Sequence, residues 1–524
     1  MKLRTIVKIA ITSSVVLLCS GFALYSFFRL SAAEGQKDFN LYELVPSTTS
    51  AVFVTDDVLE FVAEVDELTC SKNQQYLYVS KLFSYLKQSL YALSEDTPHG
   101  LSRQMNQMLI SFHEPDNERN QVLYCRLGNG DKELVNRFVR KYISSLYPPK
   151  TFIYKGEEII IYPMADGDFL ACYLTSDFMA LSFQKKLIEN VIDAYKSGKS
   201  LADDSTFTGI RAPKKSAAAA TIYTRMQGMM GWTEFDMKMK DDFIYFSGIT
   251  HDADTCFAFI NQLRQQQSVK GFPGEVLPST AFYFSRQGIT DWVSLLSYGN
   301  AQGQSVPART SEVQNRDKEF SRYLMENAGQ DLVACLFQRE DTLQDAAAVL
   351  SLSVADVTEA ERMLRALVNA APADEGRRNP RITFCYTVNK AYPIYRLPQT
   401  TLFEQLTSFA EPTLDVYAAF YGGRLLLAPD ADALAHYIRQ LDKGEVLNGA
   451  MVYQTGMDHL SDSYHFMLMA DFDHIFQQSE NHVRFVPDFF LRNADFFRHF
   501  TLFVQFACAD GVVYPNIVLK YKSE

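Results

Sequence analysis

Residues 180–201, ALSFQKKLIENVIDAYKSGKSL, and residues 426–447, LLAPDADALAHYIRQLDKGEVL, align without a gap. Each reads as a short strand running into an amphipathic helix closed by glycine, and Gly198 falls on Gly444, an offset of 444 − 198 = 246. In the first copy Leu187, Ile188, Val191, Ile192 and Tyr195 recur at helical spacing, which predicts one apolar stripe laid on a sheet. The same offset sets ATIYTRMQGM on FMLMADFDHI, with Tyr223 over Met469.

Working outward, the correspondence continues. LVPSTTSAVFV (44–54) and VLPSTAFYF (276–284) each lead from a Pro-Ser-Thr turn into a strand of β-branched and aromatic residues. Each strand is followed by an acidic or amphipathic helix, DDVLEFVAEVDEL in one case and ITDWVSLLSYG in the other. Then comes a hairpin: MLISFHE with QVLYCRL, turning at Pro115 to Asn120, and LVACLFQ with AAAVLSLSV, turning around Asp341. Each hairpin feeds a helix, KELVNRFVRKYISSL after Asp131 and EAERMLRALVNAA after Thr358, where Thr358 and Glu361 have capping-box spacing. Several matches in one order point to an internal duplication.

The expected fold is therefore α+β, with two related halves, each an antiparallel sheet covered on one side by helices. The Gly and Pro residues of KGFPGEVLP (270–278) mark the boundary, giving segments 1–33, 34–272 and 273–524. Gly299 to Arg316, polar and rich in Gln, Ser and Ala, reads as a long exposed loop. The terminal FTLFVQFACADGVVYPNIVLKYK reads as a hairpin turned at Ala509-Asp510-Gly511.

The segment 1–33 has a different character. Ile9 to Phe28 is an apolar run free of charge, with Ile9, Val16, Leu18, Phe22 and Phe28 among its residues. Twenty helical residues reach about 30 Å, the hydrocarbon thickness of a bilayer. Lys2, Arg4 and Lys8 precede the run and Arg29 closes it, which favours a cytoplasmic N-terminus and an exported body. The expectation is a signal-anchor: a single-pass transmembrane helix in the inner membrane, with the body in the periplasm. Ser31-Ala32-Ala33 supplies the alternative, a cleavage site, but the apolar run exceeds the roughly 7–15 residues of a signal-peptide core.

Composition limits the partners. Hydrophobic residues make up 47% of the 524 and aromatics 13%, enough for packed cores. The 50 basic and 62 acidic residues give −12, and no long basic run interrupts the body, so nucleic acid is not expected as a partner. Cys70, Cys125, Cys172, Cys256, Cys335, Cys385 and Cys508 form no CxxC pair and sit mostly in apolar, strand-like words. An exported body permits disulfides, yet this dispersed pattern reads as small buried hydrophobes.

The anchor, the Pro-Ser-Thr entry to the first strand, the LLLAPDADALAHYI strand-helix and the closing ADGVVYPNIVLKY hairpin resemble one group. These are the uncharacterised, membrane-anchored envelope proteins of Bacteroidota that carry a domain of unknown function. The resemblance implies a Gram-negative cell envelope and brings no catalytic residues with it.

Candidate sites are few. Asp471, Asp473 and His474 in MADFDHIF, with His459, His465 and His482 in the surrounding sequence, offer carboxylate and imidazole for a divalent metal. The competing reading is a strand ending at Ala470, with Asp471 or Asp473 capping the next helix. The chain contains no HExxH, GxSxG, GxxxxGK[ST] or dinucleotide GxGxxG, and GNGDK at Gly128 reads as a turn. Ser47 and Ser279 follow proline in both copies, which suits a turn rather than a nucleophile. In FVPDFFLRNADFFRHFTLF, Phe489, Phe496 and Phe497 could present a binding surface, although their spacing also fits a helix burying one face.

The leading expectation is a non-enzymatic, membrane-anchored extracytoplasmic binding or scaffolding protein. It would have no cofactor, would contact the bilayer through its first helix and would serve an envelope protein partner. The alternatives are a metal-assisted hydrolase using Asp471, Asp473 and His474, and a carrier for lipid or another apolar ligand.

Overall fold

The structure is a computed structural model. It describes residues 39–73, 105–113, 119–128, 131–138, 147–164, 167–210, 218–225, 231–250, 258–293, 295, 311–339, 346–370, 381–388, 390–398, 400–407, 415–478, 486 and 488–522. These divide into two compact units, one within Met1–Val62 and Val79–Arg211, the other within Ala63–Tyr78 and Ala212–Glu524.

The first unit contains β1 (Ala51–Thr55), β2 (Met108–Phe112), β3 (Gln121–Arg126), α1 (Asp131–Phe138), β4 (Lys150–Tyr154), β5 (Glu157–Pro163), β6 (Phe169–Leu174), β7 (Phe178–Ser182) and α2 (Lys185–Ser197). Its strands lie in the order β4-β5-β6-β7-β3-β2-β1, every neighbouring pair antiparallel. The stripe read from the sequence puts α2 on this sheet, with Leu187, Ile188, Val191 and Ile192 buried. Each such side chain contributes roughly 1.5–3 kcal/mol by leaving water. Tyr195 closes the stripe at 40% exposure, its ring 5.5 Å from that of Phe178.

The second unit begins with β8 (Ala220–Thr224), β9 (Thr233–Lys240), β10 (Phe243–Thr250), β11 (Val269–Lys270), β12 (Ala281–Gly288), α3 (Ser311–Asn327), β13 (Ala328–Gln338), β14 (Ala346–Val354) and α4 (Val357–Ala370). It continues with β15 (Ile382–Tyr386), β16 (Ala391–Pro398), β17 (Asp415–Tyr421), β18 (Arg424–Ala428), α5 (Ala431–Asp442), β19 (Ser463–Tyr464), β20 (Phe466–Asp471), α6 (Phe472–Phe476), β21 (Phe500–Ala509) and β22 (Val512–Tyr521). Strand order runs β15-β16-β17-β18-β14-β13-β12-β20-β21-β22-β10-β9-β8, again antiparallel throughout. β11 and β19 make a separate small ladder.

The first seven positions of this order repeat the order of the first unit strand for strand. The register of β10 on β22 is also self-consistent under a two-fold exchange. Ladder by ladder, Ile244 occupies the place of Val513 and Thr250 that of Leu519. Ile244 pairs with Leu519, and Thr250 with Val513.

The α+β expectation is corrected. Within each unit antiparallel strand dominates and, among the described residues, helices are few. One physical reason is legible in the burial: β3, β7 and β18 are buried at nearly every position and β13 from Asp331 to Phe337, so both sheet faces are covered there. In β16 the successive residues Ile394 and Tyr395 serve opposite sides. Ile394 joins the core containing α5, while the Tyr395 hydroxyl donates to Glu361 of α4 at 2.6 Å. A second reason is that the hairpin turns carry weak sequence signals. Lys155-Gly156 between β4 and β5 takes positive φ at both residues (48° and 84°), as a type I′ turn requires, without Asn-Gly or Asp-Gly.

Further corrections are local. The predicted loop 299–316 contains the start of α3 at Ser311. The cap of α4 is Asp356, whose Oδ1 accepts from Thr358 N at 2.9 Å and Glu359 N at 3.1 Å, so the Thr358/Glu361 box does not form. The predicted anchor, with Ile9, Val16, Leu18, Phe22 and Phe28, lies outside the described residues. Among those described, no helix is long and apolar enough to cross a membrane.

Candidate functional site

The Asp471, Asp473 and His474 cluster sits where β20 hands over to α6. Asp471 is the N-cap, accepting from Asp473 N at 3.0 Å. Its other contacts are Lys522 Nζ at 2.7 Å and His474 Nδ1 at 3.3 Å. Burial would raise the Asp471 carboxyl, but the His474 hydrogen bond and the Lys522 ammonium more than reverse this and hold it below the usual range. Asp471 in turn raises His474, against the effect of burial. The Asp471 carboxylate is thus already engaged by an ammonium, and Asp473 points to Gln477 at 3.1 Å and Arg498 at 3.8 Å. Among the described residues no three His, Cys, Asp or Glu side chains are grouped to hold a metal ion. His465 accepts from Cys508 N at 3.1 Å and His459 stacks edge-on to Phe243, while His482 lies outside the described residues.

Phe497 is 7% exposed, inside an aromatic cluster with Phe472, Phe490, Phe496 and Phe500 at centroid distances of 4.8–6.4 Å. Phe496 is half-buried and lies 4.9 Å from Phe500. These two rings hold the chain against β21, and the Phe489 side chain lies outside the described set. Cys70, Cys125, Cys172, Cys335, Cys385 and Cys508 are free thiols, and burial pushes those of Cys125 and Cys172 up to about 12. Such thiols are packing residues, not nucleophiles.

A different cluster carries unexplained charge. Asp331 at the start of β13 is met by Arg286 of β12, Nε to Oδ2 at 3.0 Å, and by both terminal nitrogens of Arg424 of β18 at 3.3 Å. The three side chains are 8%, 15% and 13% exposed. Burial alone would raise the Asp331 carboxyl, but Arg424, a Ser353 hydrogen bond and Arg286 reverse this and keep it ionised. Arg424 also donates to Ser351 Oγ at 2.6 Å and Ser351 O at 2.9 Å. Arg286 Nη1 donates to Gly271 O at 2.8 Å and approaches Tyr464 Oη at 3.3 Å.

Beside this cluster opens a cleft of about 430 Å³, lined by 267–270, Arg286, 329–331 and 353–355. Its walls come close by way of glycine. A Cβ on Gly288 would stand 2.0 Å from Gln267 O, and one on Gly329 would stand 2.5 Å from Ser353 Oγ.

None of these residues stood out in the sequence. Asp331 lies 45 positions from Arg286 and 93 from Arg424, and each is a lone charge in an apolar word. One signal was available: the 246 offset sets Arg424 on Phe178, a charge where the aligned stretch has an aromatic ring. Comparison with protein-family models, curated proteins and solved structures returned no match.

Proposed function

We propose that this is a non-catalytic binding or scaffolding protein of the bacterial envelope, built from a duplicated unit. Its 9–28 segment would hold it in the inner membrane, with the body in the periplasm. The observation that carries the binding reading is the Arg286–Asp331–Arg424 cluster and the cleft beside it. The ladders give Arg424 and Arg286 the counterparts Phe178 and Val54 in the first unit. The same strand order therefore folds without these charges.

Burying three charges carries a desolvation cost that well-packed apolar residues avoid. A cluster that the topology does not need, opening on a cleft, is best explained by recognition. The shared strand order and the reciprocal β10–β22 register support duplication. The apolar run after three basic residues supports the anchor.

The test is crosslinking of the tagged full chain in cells, followed by detergent extraction and mass spectrometry. A stoichiometric envelope partner supports the reading, and recovery of the chain alone counts against the scaffold role. Extraction that needs no detergent, or a mature N-terminus at Glu34, would refute the anchor.

A further inference from the structure

We infer that the cleft beside Arg286 is a binding site for a small oxyanion ligand, one presenting a carboxylate or a phosphate group. This deepens the binding-protein reading and rests on it. The buried cluster holds two guanidiniums against a single carboxylate, and both Asp331 oxygens are already engaged by them. Lys270, exposed on the cleft wall, adds a third positive group. The site is therefore locally cationic in a chain whose net charge is −12, and among the described residues lining it the one carboxylate, Asp331, is already engaged at both oxygens.

The donors fit an oxyanion. Arg286 spends Nε on Asp331 and Nη1 on Gly271 and Tyr464, and among the described residues its Nη2 has no hydrogen-bond partner. A guanidinium held on one edge and open on another is preorganised for carboxylate or phosphate. Gln330 adds a neutral donor on the same wall. Asp331 and Arg424 act as positioning residues, fixing the Arg286 fork from behind. The volume of about 430 Å³ falls in the range of small-molecule sites, and Gly329 keeps a side chain from filling it against Ser353.

The experiment titrates the full chain in non-ionic detergent with inorganic phosphate and with succinate by calorimetry. In parallel it is co-sedimented with phosphatidylglycerol vesicles against phosphatidylcholine vesicles. Lys270→Glu and Gln330→Ala alter exposed positions, and an unchanged thermal midpoint without anion verifies that each variant folds. The expected result is one anion per chain, with affinity weakened about tenfold in Lys270→Glu, the scale of one charge-assisted hydrogen bond.

Binding of free phosphate or succinate assigns a soluble ligand, whereas binding confined to phosphatidylglycerol vesicles assigns a lipid headgroup. The inference is overturned if none of the three anions binds, or if Lys270→Glu and Gln330→Ala bind as the parent does. A crosslinked partner without anion binding would remove the cleft assignment and leave the scaffold reading standing. Anion binding without a partner would do the reverse.

Discussion

Two stretches of this chain pair their strands in the same order and fill the same place differently. At the β3–β7 ladder of the first unit, Arg126 faces Phe178, and Phe178 is 1% exposed among Phe39, Tyr173 and Tyr195 at 4.9–5.5 Å. At the β14–β18 ladder of the second, Ser353 faces Arg424, which turns to Asp331. A ring in one and an ion pair in the other show that the topology tolerates either. What the ladder demands is volume and satisfied polar groups, not charge.

The comparison breaks most visibly at Asp331. Asp331→Ala leaves two guanidiniums partly buried without their carboxylate, and the second unit should lose about 3–5 kcal/mol. Urea denaturation followed by hydrogen exchange in β12, β13 and β18 reads the loss. A loss under about 1 kcal/mol would mean that water already serves the two arginines. In the first unit Phe178→Ala should cost about 3 kcal/mol, because it opens a cavity among three rings. Its exchange signature should fall on β3, β6 and β7.

A smaller effect separates the two stretches by pH. His113, one residue past β2, has its ring nitrogen 2.9 Å from Ser111 Oγ, and burial lowers it from the ordinary 6.5 to about 4. The unfolded chain binds this proton below about pH 6.5, while the folded chain resists until about 4. Stability therefore falls as pH drops through that window, by about 2–3 kcal/mol at its acid end. The ladder counterpart of His113 is Phe337, buried and unable to titrate. His113→Phe should abolish the slope between pH 6.5 and 4. A slope unchanged in the variant assigns it to other groups.

The exchange can also be made directly. Arg286→Val, Asp331→Ala and Arg424→Phe together replace the three charges of the second unit by apolar groups, two of them those of the first unit. By the precedent of buried ion clusters replaced by packed apolar groups, the triple variant should be within about 1 kcal/mol of the parent or more stable. The single Asp331→Ala should be far worse than the triple. Were the triple as unstable as the single, the charges would be structural and the recognition argument would fail.

How much of this was legible follows from what each signal rests on. The β7–α2 and β18–α5 words were readable because a helix stripe, a strand and a closing glycine fall at fixed spacing. So was the terminal hairpin, where Asp510 and Gly511 take φ of 52° and 77°, as an Asp-Gly turn predicts. The β4–β5 and β15–β16 hairpins were not, because Lys155-Gly156 and Thr387 to Lys390 carry no strong turn signature. One-sided sheets were expected because continuous apolar words such as VLYC and LVACLF do not say how many faces are covered. Asp471 was readable as a cap from its place after a strand. The Arg286–Asp331–Arg424 cluster was not, since contact between residues 45 and 93 positions apart leaves no local pattern.

The smallest test asks whether the aligned stretches 180–201 and 426–447 have equal energetics. Gly198 and Gly444 end α2 and α5 with φ of 63° and 73°, and their amides donate to Ala194 O and Leu441 O. A side chain at either position meets no atom within 4 Å, so the penalty of alanine is conformational alone. It should be about 1 kcal/mol in each copy, the usual cost of a left-handed residue with a Cβ. Hydrogen exchange at the last turn of each helix measures the two costs separately in Gly198→Ala and Gly444→Ala. Equal values mean that the helix ends act as interchangeable parts, and the two stretches differ only in what fills their sheets. A markedly larger loss at Gly444 would place strain in the Glu445–Leu447 segment, where Leu447 N donates to Leu277 O at 2.9 Å and ties the helix end to the start of β12.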